Sequence, residues 1–384
     1  MTAQRASSTI KDAGVFSEGT GGAGTSPVQV VERFRGVMNS EKRGWGAFGA
    51  FSLGGELPRE RVLSRMEVRI AELESVRPSP HSPVFDELSA LRAEWAEAAR
   101  QLYGRLEPWE TVCIARHPSR PVLPDYLHYL VHDFCELHGD RVYGDDRAII
   151  TGLGCIDDHR VLIVGHNRGH SLEERVACHF GCAHPEGYRK AHARMRLAAK
   201  FRLPIVSLID TPGAYPGTEA EQRGVAQAIA ANLSLMPRLR VPIIAVVIGE
   251  GGSGGALGIG VADCVAMLEH SVFSVISPEG CAAILWKTSA QAQAAASALK
   301  MRAPDLKNLG MIDEIISEPL GGAHRNHAQA AAYLGDFLRR SLEELKRLPV
   351  ETLLQRRYNR LRCVGASFES VANIRSAETP RAAM

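Results

Sequence analysis

The residues best placed to do chemistry in this chain are glycines. Ile248-Gly-Glu-Gly-Gly-Ser-Gly-Gly-Ala-Leu-Gly-Ile-Gly260 directly follows the β-branched run Val241-Pro-Ile-Ile-Ala-Val-Val247. That order reads as a buried strand, a glycine-rich turn and a small-residue helix. Glycine lets the backbone approach a ligand closely and lets successive N–H groups point outward. A helix N-terminus adds partial positive charge. Such a corner can hold a phosphate or stabilise a developing oxyanion. A phosphate loop of the Walker type ends in Gly-Lys-Ser/Thr, whereas Gly254 is followed here by Gly255 and Ala256. A dinucleotide fingerprint would sit at the first strand of its fold, and this motif lies two thirds along the chain, with Glu269 as its acidic candidate. The oxyanion reading therefore leads, with close helix-on-sheet packing as the plain alternative.

A second motif, Asp210-Thr-Pro-Gly-Ala-Tyr-Pro-Gly217, carries two prolines and two glycines. They fix a rigid loop whose amides at Gly213 and Ala214 face a ligand. Asp210 as a metal ligand would want a phosphate loop upstream, and there is none. Gly251-Gly-Ser-Gly-Gly255 also matches the spacing of a nucleophile elbow. A serine hydrolase using Ser253 stays open, with His270, His324 and His327 as candidate bases. The density of glycine favours backbone over side-chain chemistry. Cys178-His-Phe-Gly-Cys-Ala-His184 resembles a metal cluster, but a lone C-x3-C with nearby His lacks the second pair of a structural zinc site. No metal on this chain is expected.

The elements that must position these motifs follow from periodicity. Residues 1–55 are rich in Gly, Ser, Thr and Ala and read as a disordered extension, with a short helix around 28–37. In 56–120, Val62, Met66, Ile70 and Leu73 mark one amphipathic helix. Phe85, Leu88, Leu91, Trp95, Ala98 and Leu102 mark a second, after a proline-rich break. Together they predict a helical hairpin. The core is expected over 121–330. Its predicted pieces are strands at 148–156 and 160–165, a helix at 185–201, a strand at 204–209, one helix at 219–235 and the strand before the glycine motif. Short strands at 263–267 and 271–276 follow. Strand, glycine turn and helix recur, which predicts parallel pairing. In 331–384, Leu334, Leu338, Leu342 and Leu345 give a helix an apolar face. Arg356, Arg357, Arg360 and Arg362 predict a solvated, charged later part.

The bulk numbers exclude some classes. The chain has 384 residues, 45% hydrophobic and 23% charged, with a net charge of +2. There is no global case for nucleic-acid or membrane binding, and no run approaches a membrane span. The N-terminus lacks a secretory layout. Eight scattered cysteines predict reduced thiols and a cytoplasmic location.

Several long motifs resemble one family. They are Glu136-Leu-His-Gly-Asp-Arg141, the 210–217 loop, Val247–Ala256, Ser274-Val-Ile-Ser-Pro-Glu-Gly-Cys281 with Ile284-Leu-Trp-Lys287, and Glu318-Pro-Leu-Gly-Gly-Ala-His-Arg325. Ala115-Arg-His-Pro118 and Pro185-Glu-Gly-Tyr-Arg-Lys-Ala191 add to them. Together, over about 58–365, they are similar to the carboxyltransferase α subunits of bacterial acetyl-CoA carboxylase. The resemblance implies an α/β, crotonase-like fold of ββα units with an N-terminal helical hairpin and a C-terminal helical tail. It implies transfer of a carboxyl group from carboxybiotin, carried on the biotin carboxyl carrier protein, to acetyl-CoA, giving malonyl-CoA for fatty acid synthesis. It also implies an α2β2 assembly with a β subunit that carries the zinc, biotin carboxylase in the full complex, and no biotin attached to this chain. On that basis the amides of Gly251 and Gly252 are expected to form the oxyanion hole. Gly213, Ala214, Tyr215, Gly254 and Gly255 are expected to line the substrate pocket. Asn167-Arg-Gly-His170 and the Cys178–His184 segment depart from the more basic family pattern. A paralogue acting on another acyl-CoA, or in a specialised pathway, therefore stays open.

Overall fold

The computed structural model describes residues 57–365. The expected disordered extension, the helix near 28–37 and the tail beyond 365 lie outside the described residues. In chain order the described elements begin with α1 (Arg61–Ser75), α2 (Pro83–Tyr103), α3 (Pro108–Ala115), α4 (Leu123–Leu130) and β1 (His132–Glu136). Next come β2 (Ile149–Ile156), β3 (His159–His166), α5 (Leu172–Ala177), α6 (Pro185–Lys200), β4 (Ile205–Thr211), α7 (Thr218–Gln222) and α8 (Val225–Leu235). They continue with β5 (Ile243–Gly252), α9 (Ser253–Leu257), β6 (Cys264–Leu268), β7 (Val272–Ser274), α10 (Pro278–Trp286) and α11 (Ala292–Leu299). The last are α12 (Ala303–Asn308), β8 (Glu314–Ile316), α13 (His327–Arg347) and α14 (Val350–Cys363).

One sheet runs β1-β2-β3-β4-β5-β6-β8, with β7 added beside the end of β5. The tight turn at Asp157 and Asp158 makes β2 and β3 antiparallel. From β3 onward each pair is parallel, because a helix carries the chain back between strands. This is the α/β, ββα-based fold class expected from the sequence. β4 and β5 are buried along their whole length, as parallel strands covered on both faces must be. The main core joins Val206, Leu208, Ile244, Val246 and Ile248 to the buried stripe of α13, namely Leu334, Leu338, Leu342 and Leu345.

Four details differ from the sequence reading. β5 does not stop at Ile248: it continues through the glycines to Gly252, paired with β7 from Glu250 to Gly252. The predicted single helix at 219–235 is two, broken at Gly224, whose φ of 78° is left-handed. On α1, Leu73 is buried and Met66 and Ile70 are half-buried as read, but Val62 stands 58% exposed and Leu63 is buried in its place. Arg357 is fully buried, not solvated.

α1 and α2 pack as a pair. Leu57, Leu63, Ala99, Leu102 and Tyr103 close with Ile114 of α3 into a second apolar cluster. Glu60 ties this cluster to the 318–325 loop, because Arg325 donates to both Glu60 (2.9 Å) and Glu67 (2.6 Å).

Candidate active site

The two motifs meet. β4 and β5 are paired neighbours, with Ile209 opposite Val247 and, past a register shift, Thr211 opposite Gly251. Parallel pairing therefore delivers the 210–217 loop and the glycine turn to the same sheet edge. They pack at backbone distance. A Cβ built on Gly252 would lie 2.1 Å from the Pro212 carbonyl oxygen, and one on Gly255 would lie 2.6 Å from the Ala214 nitrogen. Real Cβ atoms do not come that close, so at these two positions glycine is needed to let the loops touch. Gly254 differs: a Cβ there would meet nothing nearer than Ile229 at 3.9 Å. Close packing and amide display are both present, at different glycines.

The amides divide as follows. Gly251 lies between strands, opposite Thr211 on one side and Phe273 on the other. Gly252 ends β5 and is the N-cap of α9, with no side chain capping the helix. The first-turn amides of a helix lack intrahelical acceptors, which leaves Ser253, Gly254 and Gly255 facing off the helix end. Across the contact, the Gly213 amide donates to Thr211 Oγ1 at 3.1 Å. Ala214 N–H has no acceptor among the described residues. Tyr215 is buried, its N–H donates to the Ala183 carbonyl at 3.0 Å, and its ring stacks on His184 at 4.0 Å. Ser253 has a φ of 50°, as a strained elbow would. None of the three candidate histidines bonds to it. His327 Nε2 meets the Ser119 carbonyl at 2.7 Å, His324 Nε2 lies against Arg325, and the His270 ring lies over Tyr103.

Beneath the corner lies a buried ion network that sequence reasoning missed. Arg116 donates to Glu250 (2.6 Å) and to Glu279 (2.6 Å). Arg168 reaches Asp210 (3.1 Å) with one nitrogen and Glu250 (3.2 Å) with the other. Asp210 Oδ1 also accepts the Glu250 N–H at 3.0 Å, which joins the two motifs directly. Four residues on, in the turn after α3, Arg120 holds Glu318 (2.6 Å) and the Ile248 carbonyl (2.9 Å). Burial disfavours the Glu250 carboxylate, but Arg116 and Arg168 outweigh it and hold its pKa below the usual range. Glu318 is also buried, and Arg120 with His270 brings it to about 2. The only signal in sequence was that Arg116, Asp210, Glu250, Glu279 and Glu318 all sit inside the quoted motifs.

Cys178, Cys182 and His184 do not converge. Among the described residues, the only grouping with metal-ligand spacing is His132, Asp133 and Cys155. Cys178 instead accepts from Asn167 at 3.1 Å, and burial pushes its thiol up to about 11. His184 is held neutral, with a pKa lowered to about 4 by burial and then by His179 and Arg223. Among the described residues, no helix is long and apolar enough to cross a membrane.

Comparison with known proteins follows the same residues. The family described as acetyl co-enzyme A carboxylase carboxyltransferase-like matches residues 56–365. The acetyl-coenzyme A carboxylase carboxyl transferase subunit alpha of Rhodopirellula baltica is 49% identical over 317 residues, 82% of this chain and 99% of that protein. The subunit of the same name from Xanthomonas axonopodis pv. citri is 50% identical over 307 residues, 80% of this chain and 96% of its own length. Among solved structures, a Pseudomonas malonate decarboxylase hetero-tetramer in complex with coenzyme A matches at 17% identity and a TM-score of 0.49, over 61% of this chain and 91% of that one. With the family matched over most of its length and near-half identity to full-length relatives, the chain belongs to the acetyl-CoA carboxylase carboxyltransferase α-subunit family.

Proposed function

We propose that this chain forms the biotin-facing half of a two-chain carboxyltransferase. It would move a carboxyl group from carboxybiotin on a carrier protein to acetyl-CoA, giving malonyl-CoA, with a β subunit supplying the other half of the site. The observation that carries this reading is the corner itself. Two amide-bearing loops meet so closely that a Cβ at Gly252 or Gly255 would strike Pro212 or Gly213, and the Ala214 amide beside them has no acceptor in the described chain. A ureido ring presents one oxygen for such amides to bond. Bound biotin supplies a nitrogen that carries the carboxyl group and an oxygen that gains negative charge when the group leaves.

The chain's own part is positioning. Amides of the Gly251–Gly255 turn and Ala214 donate to that oxygen, Gly213 and Tyr215 wall the pocket, and no protein side chain need form a covalent bond. Arg116 and Arg168 pair with the buried carboxylates of Asp210 and Glu250, so the pocket offers N–H dipoles in place of repelling charge. Val275, Ile284, Leu285 and Trp286, at or next to α10, are exposed apolar residues of the kind that assemblies cover. They suit a partner subunit.

The test is co-expression with a candidate β chain, then malonyl-CoA decarboxylation with free biotin as acceptor. Activity that needs both chains supports the proposal. A folded pair without biotin-dependent transfer overturns it. Loss of activity in Ser253→Ala together with labelling by a fluorophosphonate would instead establish the hydrolase reading.

A further inference from the structure

A separate group of side chains lies at the other end of the sheet. His132 on edge strand β1 pairs in register with Cys155 on β2, which puts their side chains on one face. Strict alternation would send Asp133 to the opposite face. The register shifts between His132 and Cys135, and Asp133 takes a φ of 53°. This bulge brings the Asp133 carboxylate round to the imidazole. Ligand atoms of His132, Asp133 and Cys155 all lie within 4.8 Å of one another.

The hydrogen bonds of His132 say what the group lacks. Its Nε2 lies 2.9 Å from the Asp157 carbonyl oxygen. A carbonyl only accepts, so Nε2 carries a proton there, and Nδ1 is the ring atom left to bind a cation. Nδ1 lies 3.5 Å from Asp133 Oδ2. The separation is long for a charge-assisted hydrogen bond, and close to the ~3.3 Å expected between N and O ligands of a tetrahedral cation with bonds of about 2.05 Å. The Nε2–carbonyl bond is also the outer-shell arrangement that fixes ligating histidines. Cys155 Sγ has no hydrogen-bond partner among the described residues.

We propose that His132, Asp133 and Cys155 form a surface site for a divalent d-block cation, with the fourth position open to water. Thiolate, imidazole and carboxylate together suit zinc and cobalt, not magnesium or calcium. The thiol proton leaves to solvent as the metal–sulfur bond forms. β1 is four strands from β5 in the sheet, about 19 Å at ~4.8 Å per strand, so this site is independent of carboxyl transfer.

The experiment is titration of the metal-free full chain with Co2+ alone, followed by Zn2+ displacement. The expected result is visible d–d bands and a near-ultraviolet sulfur-to-cobalt band that saturate together at a single equivalent. Cys155→Ser should lose the sulfur band, and Cys135→Ser, which removes the exposed thiol on β1, should keep it. His132→Ala should weaken binding at least about tenfold, with the thermal midpoint of every variant unchanged. A saturating titration without a sulfur band, or a band that survives Cys155→Ser, overturns the proposal. So does a His132 that titrates as an ion pair with Asp133 and takes up no metal.

Discussion

Two of the places where this protein buries arginine serve different ends. Under the glycine corner, Arg116 and Arg168 bond mainly to carboxylates carried by the site motifs themselves. Under α14, Arg357 bonds to Asp263 at 2.6 Å and to the carbonyls of Met236, Leu239 and Val241. The first set fixes two loops relative to each other. The second pins a helix to the start of a strand and the turn before it. Both are buried charges that would cost several kcal/mol if left alone. Only the first should be felt in turnover.

The largest effect expected is from Gly252→Ala, which drives a methyl into the Pro212 carbonyl and parts the loops. Turnover should fall by about a hundredfold or more, with circular dichroism unchanged. Next is the pair that tests the comparison itself. Arg116→Met and Arg357→Met should each lose about 3–5 kcal/mol of unfolding free energy, but kcat per folded molecule should fall only in Arg116→Met. Equal kcat losses would erase the distinction. A smaller effect belongs to Glu318. Its carboxylate is held at about 2 against an ordinary 4.5, so its stabilisation is full above 4.5 and fades as pH drops toward 2. Glu318→Gln should be less stable at pH 7 and show a shallower loss between those values in acid titrations followed by fluorescence. The smallest effects are expected at Gly254→Ala, where a Cβ makes only an ordinary contact with Ile229 at 3.9 Å, and at Ser253→Ala. Both should stay within about threefold of the parent rate, as small changes away from packed contacts do.

The apolar skeleton was legible in the sequence because its signal is local. The β-branched run before the glycines and the leucine stripe of α13 announce themselves within a few turns of chain. The glycine motif could be found in the same way, though not the division of labour within it. Gly252 and Gly255 are needed by Pro212, Gly213 and Ala214, some forty residues away, and no window of sequence contains both. Arg357 was misread for the same reason: three of its acceptors are backbone carbonyls, which have no identity in sequence. The break at Gly224 was hidden by good helix formers on both sides.

The bonds that hold the corner have a consequence for synthesis. Arg116 and Glu279 are 163 residues apart, and Arg120 and Glu318 are 198 apart. At a translation rate of roughly 5–20 residues per second, β5 emerges well before its last anchors do. For several seconds an apolar strand ending in bare backbone waits on the ribosome without its final partners. Contacts of such long range also close slowly. Until residue 318 has been made, that strand is the part of the nascent chain most open to wrong pairing.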